Sequence, residues 1–202
     1  MGKYIKIGIG ILVVIILIYS FRGSNSFNYE KYKTALAQYR EERDRFMQFN
    51  QESPLPEKAK ADFTGLNYFD ADSSYRIKAS IKPIENPKTI TLSMTAGAPE
   101  QYKEVGYANF SRNNQIVNLL VMRSMETGDL FLPFFDQTNG TITYGGGRYL
   151  DPEMLSGNNI LLDFNYAYNP FCAFAESYAC PIPPLQNKIP FAVEAGEKMW
   201  GK

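Results

Sequence analysis

Histidine is absent from the 202 residues of this sequence, and cysteine occurs only twice, at Cys172 and Cys180. The absence of histidine excludes catalytic triads with an imidazole base, histidine metal sites and histidine pH switches. Any proton transfer would therefore fall to carboxylates, tyrosines, lysines or a thiol. Two thiols alone do not complete a tetrahedral metal site, so the sequence predicts no resident metal and no cofactor.

A run of basic residues is also missing. The chain carries 21 Lys and Arg against 21 Asp and Glu, and three of the basic residues, Lys3, Lys6 and Arg22, flank an apolar segment. Residues 23–202 are therefore slightly acidic, with 18 basic against 21 acidic side chains. Because nucleic-acid binding requires a concentrated basic face, nucleic acid is not expected as a partner.

The apolar segment covers residues 5–21, where Lys6 is the only charged residue. As a helix it would span about 25 Å at about 1.5 Å per residue, near the lower limit for crossing a bilayer. Two lysines at its N-terminal end, Lys3 and Lys6, and one arginine after it, Arg22, favour an exported remainder. The sequence predicts a membrane anchor over residues 1–22 and a domain in the bacterial periplasm or cell envelope. A signal peptide cleaved near residues 24–26 is the alternative.

A joint and an amphipathic helix are predicted over residues 23–56. Apolar residues recur at helical spacings from Tyr29 to about Gln51, and the opposite face is charged. Pro54 and Pro56 end this pattern, because two prolines within three residues cannot continue a helix.

Beyond residue 56 the hydrophobic period changes to the alternation of strands. With 14 Tyr, 14 Phe, 15 Gly and 12 Pro, the composition is typical of a β-rich domain with many turns. Strands are predicted over residues 75–82, 89–95, 102–111, 115–124, 129–136, 160–164 and 191–195. The fold prediction is mainly β: an antiparallel barrel or sandwich over residues 57–202, with the leading amphipathic helix, preceded by one transmembrane helix.

Two local patterns add to this fold prediction. Asn139-Gly140 is a strong hairpin signal, because both residues tolerate positive φ, and it predicts that residues 131–135 pair with residues 141–144. Pro152 directly after Asp151 predicts the start of a short helix.

The two cysteines lie seven residues apart in a proline-rich stretch. In an exported domain, an isolated pair is most simply a disulfide between Cys172 and Cys180. A redox-active or nucleophilic thiol is the alternative, although the sequence lacks both a histidine base and a C-x-x-C spacing.

Three consecutive glycines, Gly145, Gly146 and Gly147, precede Arg148. The segment lacks the Lys of a P-loop and the G-x-G-x-x-G of a dinucleotide fold, so a strand bend or a close backbone approach is the simpler explanation. Arg148 is still a candidate receptor for a carboxylate or phosphate, since its donor fork would lie beside exposed backbone N–H groups.

Acidic residues at predicted strand ends or turns are candidates for a general acid/base pair or a hard-cation site. They are Asp136, Asp151, Asp163, Glu194 and Glu197. Solvated turn carboxylates are the commoner explanation, and spacing alone does not indicate which of them approach one another.

Several separate motifs resemble one known family. They read FTGLNYF at 63–69, TYGGGRYLD at 143–151, DFN at 163–165, YNP at 168–170, CPIPPLQN at 180–187 and AGE at 195–197. Over residues 38–198 the chain resembles the uncharacterised family catalogued as domain of unknown function 1684. The resemblance implies mostly bacterial relatives, often exported or lipid-anchored, without an established activity.

The sequence thus predicts a membrane-anchored envelope protein whose β-rich domain binds a small polar or anionic ligand or has a structural role. The predicted binding residues are Gly145, Gly146, Gly147, Arg148, Asp163, Asn165, Tyr168 and Asn187. The alternative is a histidine-free, hydrolase-like enzyme that uses a carboxylate pair or Cys172.

Overall fold

The structure is a computed structural model that describes residues 27–201, and the chain from Lys33 onward forms one compact unit. The helices are α1 (Tyr29–Phe49) and α2 (Glu57–Ala61). The strands are β1 (Arg76–Pro83), β2 (Thr89–Leu92), β3 (Glu100–Arg112), β4 (Gln115–Ser124), β5 (Leu130–Phe134), β6 (Arg148–Leu150), β7 (Glu153–Leu155) and β8 (Asn159–Asp163). Four short 3-10 helices cover Ser73–Tyr75, Phe164–Tyr166, Phe171–Ala173 and Leu185–Asn187.

Helix α1 confirms the predicted amphipathic helix. Asn28 caps its start, since its Oδ1 accepts a hydrogen bond from the Lys31 N–H at 2.9 Å. Leu36 and Met47 are buried on its inner face. The outer face is charged, as expected of a helix that is half exposed to water.

Within residues 27–201, no helix is both long enough and apolar enough to cross a bilayer. Helix α1 has sufficient length, but its charged side chains exclude it from a membrane interior. The predicted anchor over residues 1–22, with its span at 5–21, lies outside the described residues. The fold prediction that included a transmembrane helix is therefore corrected. The prediction of a single-pass membrane protein, with its domain in the periplasm or cell envelope, depended on that helix and is corrected with it.

The eight strands of the described chain form one antiparallel sheet in the order β6-β5-β4-β3-β1-β8-β7, with β2 paired to β3. The sheet is a half-barrel. Its end strands, β6 and β7, have three residues each and lie at opposite ends of the order, so the sheet stays open. The predicted barrel or sandwich is therefore wrong: the described chain contains neither a closed sheet nor a second one.

The main core lies between one face of the sheet and the C-terminal segment. Residues of β1, β4, β5 and β8 pack there with buried side chains of the C-terminal segment, which are Ile189, Phe191, Val193 and Ala195. The predicted strand over residues 191–195 is not formed, because the carbonyl groups of this segment bind a side chain instead of a neighbouring strand.

The longest pairing, between β3 and β4, confirms the sequence prediction for residues 115–124. Asn113 and Asn114 form its turn with φ values of 52° and 57°. Asparagine tolerates this left-handed region better than most residues, and a two-residue turn of this kind matches the twist of the strands.

Two local predictions are wrong. Strand β5 pairs with β6 rather than with residues 141–144, because the Asp136 Oδ1 atom accepts hydrogen bonds from the Thr138 N–H and hydroxyl at 2.8 and 2.6 Å and folds the chain into a local turn. After Asp151 the chain forms strand β7 instead of a helix, because residues 153–155 find a partner in β8.

Candidate functional site

A cleft lies at one end of the sheet. Neighbouring strands are antiparallel, so the start of β3, the end of β4, the start of β5 and the end of β6 meet there. In the register of these strands, Tyr102 pairs with Ser124 and Arg123 pairs with Leu130. This arrangement brings together residues that are far apart in sequence.

Aromatic rings form the floor of the cleft. Tyr102 and Phe131 stack with ring centroids 5.2 Å apart, and Phe131 meets Tyr149 edge-on at 4.8 Å. Tyr149 in turn meets Tyr168 edge-on at 5.8 Å. Such contacts fix the rings in place, since each pair contributes about 0.5–1.5 kcal/mol beyond burial.

The cleft has a volume of about 610 Å³. It is lined by Glu100, Tyr102, Ser124, Glu126, Thr127, Asp129, Leu130, Phe131, Asp151, Pro152 and Tyr168. A smaller cavity of about 280 Å³ shares Glu100, Tyr102, Phe131 and Tyr168 with it and extends toward Phe171, Tyr178 and Cys180. The volume is within the range of small-molecule sites, about 300–1,000 Å³.

Four carboxylates line the cleft, from Glu100, Glu126, Asp129 and Asp151, and none of the described lining residues is basic. Two of the carboxylates accept hydrogen bonds from floor tyrosines. The Tyr102 hydroxyl donates to Glu100 Oε2 at 2.7 Å, and the Tyr168 hydroxyl donates to Asp151 Oδ1 at 3.0 Å.

These surroundings shift the pKa values of the groups. Although the Asp151 side chain is exposed, the protein around it raises the pKa of its carboxyl by desolvation, and the nearby Asp129 carboxylate adds to that shift. Burial raises the pKa of Tyr168 well above its ordinary value, and the Asp151 charge acts in the same direction. At neutral pH Tyr168 is therefore a hydrogen-bond donor and not a base.

Arg148 lies elsewhere and is fully buried. Its Nη2 donates to Asp136 Oδ2 at 2.9 Å and to the Val193 carbonyl at 2.8 Å. Its Nη1 donates to the carbonyls of Ala195 and Glu197. Both terminal nitrogens are thus used to hold the C-terminal segment, and the side chain has no exposed surface to offer to a ligand.

The glycines that precede Arg148 in the sequence permit a close backbone approach. Gly147 has φ +89°, and a Cβ atom there would lie 2.7 Å from Pro183 Cγ and 2.8 Å from the Phe134 carbonyl oxygen. A side chain would therefore clash in a conformation that L-residues rarely adopt. The close backbone approach is the simpler of the two explanations that the sequence allowed for the three glycines.

The buried amides in the predicted site tie backbone segments together. The Asn187 side chain donates to the carbonyls of Leu120 and Pro133, both at 2.9 Å, and so links β4 to β5 beyond their two paired positions. Asn165 accepts from the Asp72 N–H at 3.0 Å and donates to the Asp72 carbonyl at 2.8 Å. Asp163 accepts from the Asn165 N–H at 3.2 Å.

Of the eight predicted binding residues, Tyr168 is the one that lines the cleft. Of the five candidate carboxylates, Asp151 reaches it. Asp136 and Glu197 are instead buried in ion pairs with Arg148 and Arg43, at 2.9 and 2.8 Å. Within residues 27–201, no group of three or more Cys, Asp or Glu is arranged to hold a metal ion.

Sequence reasoning missed the other cleft residues, above all Glu100, Tyr102, Glu126, Asp129 and Phe131. The available signal was the position of acidic residues beside the ends of four consecutive strands. It was not sufficient, because such residues are also what any solvated turn contains.

The predicted disulfide between Cys172 and Cys180 is wrong, since both cysteines are free. The Cys172 N–H donates a hydrogen bond to Cys180 Sγ at 3.1 Å, so the sulfur is engaged without a covalent bond.

Comparison with known proteins identifies the family of this chain. No curated protein matches the chain. The chain is similar to an uncharacterised protein of Haloarcula marismortui, known from a solution NMR structure, with 37% sequence identity and a TM-score of 0.67. That similarity covers 84% of this chain and 95% of the other. The family model described as "Protein of unknown function (DUF1684)" matches residues 61–198, which confirms the resemblance seen in the sequence, and the protein belongs to that family.

Proposed function

We propose that the protein binds a small organic cation, an amine or quaternary ammonium compound, in the cleft at the end of the sheet. The observation that carries this proposal is the joint presence of four carboxylates and an aromatic floor, without a basic residue among the described lining residues. Aromatic faces attract cations through their quadrupole, and carboxylates add an electrostatic attraction.

The charge of the cleft decides between ligand classes. Four carboxylates would repel a phosphate or carboxylate ligand, because like charges at close range are unfavourable. The anionic ligand expected from the sequence depended on Arg148, which is buried. The proposed ligand is therefore small and polar as expected, but cationic.

Tyr168 supports this choice of ligand. The guanidinium of Arg43 covers one face of its ring, with the guanidinium carbon 5.2 Å from the centroid, and this contact helps to fix the ring. The Tyr168 hydroxyl also orients the Asp151 carboxylate, which reduces the entropy lost when a ligand binds.

Binding without chemistry is favoured over hydrolysis. The carboxylates of Glu100 and Asp151 each accept a hydrogen bond from a tyrosine, and these bonds hold both groups in place in the cleft. In a hydrolase the proton transfer would have to fall to Glu126 or Asp129, because a general acid or base must exchange a proton with the substrate.

A matched pair of probes tests the proposal. Choline is the cationic probe, and 3,3-dimethyl-1-butanol is its uncharged isostere, in which carbon replaces nitrogen. Titration of the ¹⁵N-labelled protein should give shifts of the amide signals of residues 100–102 and 124–131 with choline, with a Kd of about 1 mM or below, which corresponds to about 4 kcal/mol. The isostere should bind at least fivefold more weakly.

Two variants localise the binding. Asp151→Asn should weaken choline binding about threefold to tenfold, whereas Glu153→Gln removes an exposed carboxylate that does not line the cleft and should leave the Kd unchanged. Equal binding of the isostere, or equal effects of the two variants, would overturn the proposal. Shifts of the same amides with acetate but not with choline would overturn it as well.

A further inference from the structure

The smaller cavity of about 280 Å³ beside the cleft, called here the inner cavity, differs from the cleft in chemical character. Six of its twelve described lining residues are aromatic, and among them only Glu100 is charged. The lining of the cleft has four carboxylates and three aromatic rings. Negative charge is therefore concentrated on the side of the cleft, and aromatic surface is concentrated in the inner cavity.

The tyrosine rings of the inner cavity offer mainly carbon surface. The Tyr149 hydroxyl donates to the Pro181 carbonyl at 2.6 Å. The hydroxyls of Tyr102 and Tyr168 donate to carboxylates, as described above. Because these three hydroxyl groups already have partners, an apolar group in the cavity leaves none of them unsatisfied.

Ring contacts hold the part of the inner cavity that the cleft does not share. Phe171 meets Tyr178 edge-on, with ring centroids 5.4 Å apart, and stacks on Phe46 of α1 at 6.1 Å. Aromatic groups prefer neighbouring rings at centroid distances of about 4.5–7 Å, so a further ring in the cavity finds the same kind of contact. An apolar cavity of about 150 Å³ is large enough for benzene, and the inner cavity exceeds that volume.

Glu100 connects the two regions, because it lines both the cleft and the inner cavity. Its Oε2 atom is held by the Tyr102 hydroxyl at 2.7 Å. A cation beside Glu100 is attracted by the carboxylates of the cleft, while a group attached to that cation can contact the rings of the inner cavity.

We infer that the ligand of the cleft is an arylalkyl ammonium compound, with its charged nitrogen beside Glu100 and its aryl group in the inner cavity. This inference rests on the proposed function and specifies its ligand class. Because one molecule occupies both regions, the second contact forms without a further loss of translational freedom. Tyr178 lines the inner cavity and not the cleft, so it is a specificity-determining residue.

A matched pair of cations tests the inference. Choline is the small probe, and its N-benzyl analogue, in which benzyl replaces one N-methyl group, is the aryl probe. The analogue should bind about tenfold more tightly, because its phenyl ring is removed from water. It should also shift the amide signals of residues 171 and 178–180 in the ¹⁵N-labelled protein, whereas choline should leave them unchanged.

Variants localise the aryl group. Ala179→Phe adds a ring to the lining of the inner cavity and should reduce the preference for the analogue to about threefold or less. Tyr178→Ala removes a ring from that lining and should reduce the preference as well. Ala61→Phe, at an exposed position of α2 outside both regions, is the control and should keep the preference. Asp151→Asn should weaken both cations by a similar factor.

The outcomes separate this inference from the proposed function. If choline binds in the cleft but the analogue binds no more tightly, or does not shift residues 171 and 178–180, the inference is wrong and the proposed function stands. If neither cation binds, both are wrong. Equal binding of benzyl alcohol and the analogue in the inner cavity would indicate a site for neutral aromatic compounds and would contradict the inference.

Discussion

Arg148 illustrates how much a single buried residue determines in this protein. Burial lowers the pKa of its guanidinium, and the Asp136 carboxylate opposes that effect. The cost of burying the charge is offset only because the carboxylate and three backbone carbonyls accept its hydrogen bonds. The residue therefore stabilises the fold as a bridge between β6 and the C-terminal segment.

Arg148→Met should lower the free energy of unfolding by about 3–5 kcal/mol, because it leaves Asp136 as an unpaired buried charge. Urea denaturation followed by circular dichroism measures the change. Arg123→Met is the matched control at an exposed position, and its effect should stay within about 0.5 kcal/mol. Similar losses in the two variants would contradict a special role for Arg148.

At the scale of elements, helix α1 is attached to the sheet domain by both polar and apolar contacts. Arg43 Nε donates to Glu197 Oε1 at 2.8 Å, and the Asp44 carboxylate accepts from the Leu66 N–H at 2.9 Å. Met47 is fully buried in a cluster with Leu55 and Phe174. The helix precedes the residues matched by the family model, 61–198, yet it supplies part of the same structure.

Met47→Ala should destabilise the protein by about 2–5 kcal/mol, the usual cost of removing a buried methionine side chain. Phe49→Ala, two residues further along the same helix, removes a side chain that is 72% exposed and should change stability by no more than about 0.5 kcal/mol. Both changes are calculated from the urea midpoint of unfolding, provided that the slope of the free energy against urea concentration is the same in the variants. An unchanged midpoint for Met47→Ala would mean that α1 is not part of the cooperative unit.

At the scale of the whole molecule, the half-barrel brings one end of β3, β4, β5 and β6 together and concentrates negative charge over aromatic rings. Attraction of a cation depends on the ionised form of the carboxylates. Since the pKa of Asp151 is raised, this residue begins to lose its charge at a higher pH than an ordinary aspartate. The proposed binding should therefore depend on pH within the range in which the protein can be studied.

The Kd for choline should increase as the pH falls from 7 to 4, because protonation of Asp151 removes a charge that attracts the ligand. NMR titrations at unit intervals of pH measure this dependence, and a thermal melt at each pH confirms that the protein is folded. The dependence should be weaker in Asp151→Asn and unchanged in Glu153→Gln. A constant Kd in the wild type would show that Asp151 does not contribute to binding.

Local patterns were sufficient for several elements. The strand pattern over residues 115–124 identified β4, and the apolar spacing with its proline stop identified α1. Gly147 was correctly associated with a close backbone approach, because glycine is the residue that such an approach requires. Each of these features depends on residues only a few positions apart.

The same sequence left other features undetermined because they depend on distant contacts. The pairing of β5 with β6 reflects competition between a local turn at Asp136 and a hairpin signal at Asn139-Gly140. The cleft exists only in the register of four strands, which no single turn reveals.

The sequence by itself determined the family, the mainly β character and the position of most elements, because hydrophobic period and turn residues act over short distances. Only the tertiary structure decided that Arg148 is a buried bridge, that the cysteines are free and that an acidic aromatic cleft is formed. The hydrogen bonds of Arg148 to the carbonyls of Val193 and Glu197 span 45 and 49 residues. Interactions of that separation are fixed by the packing of the whole chain, and no local pattern encodes them.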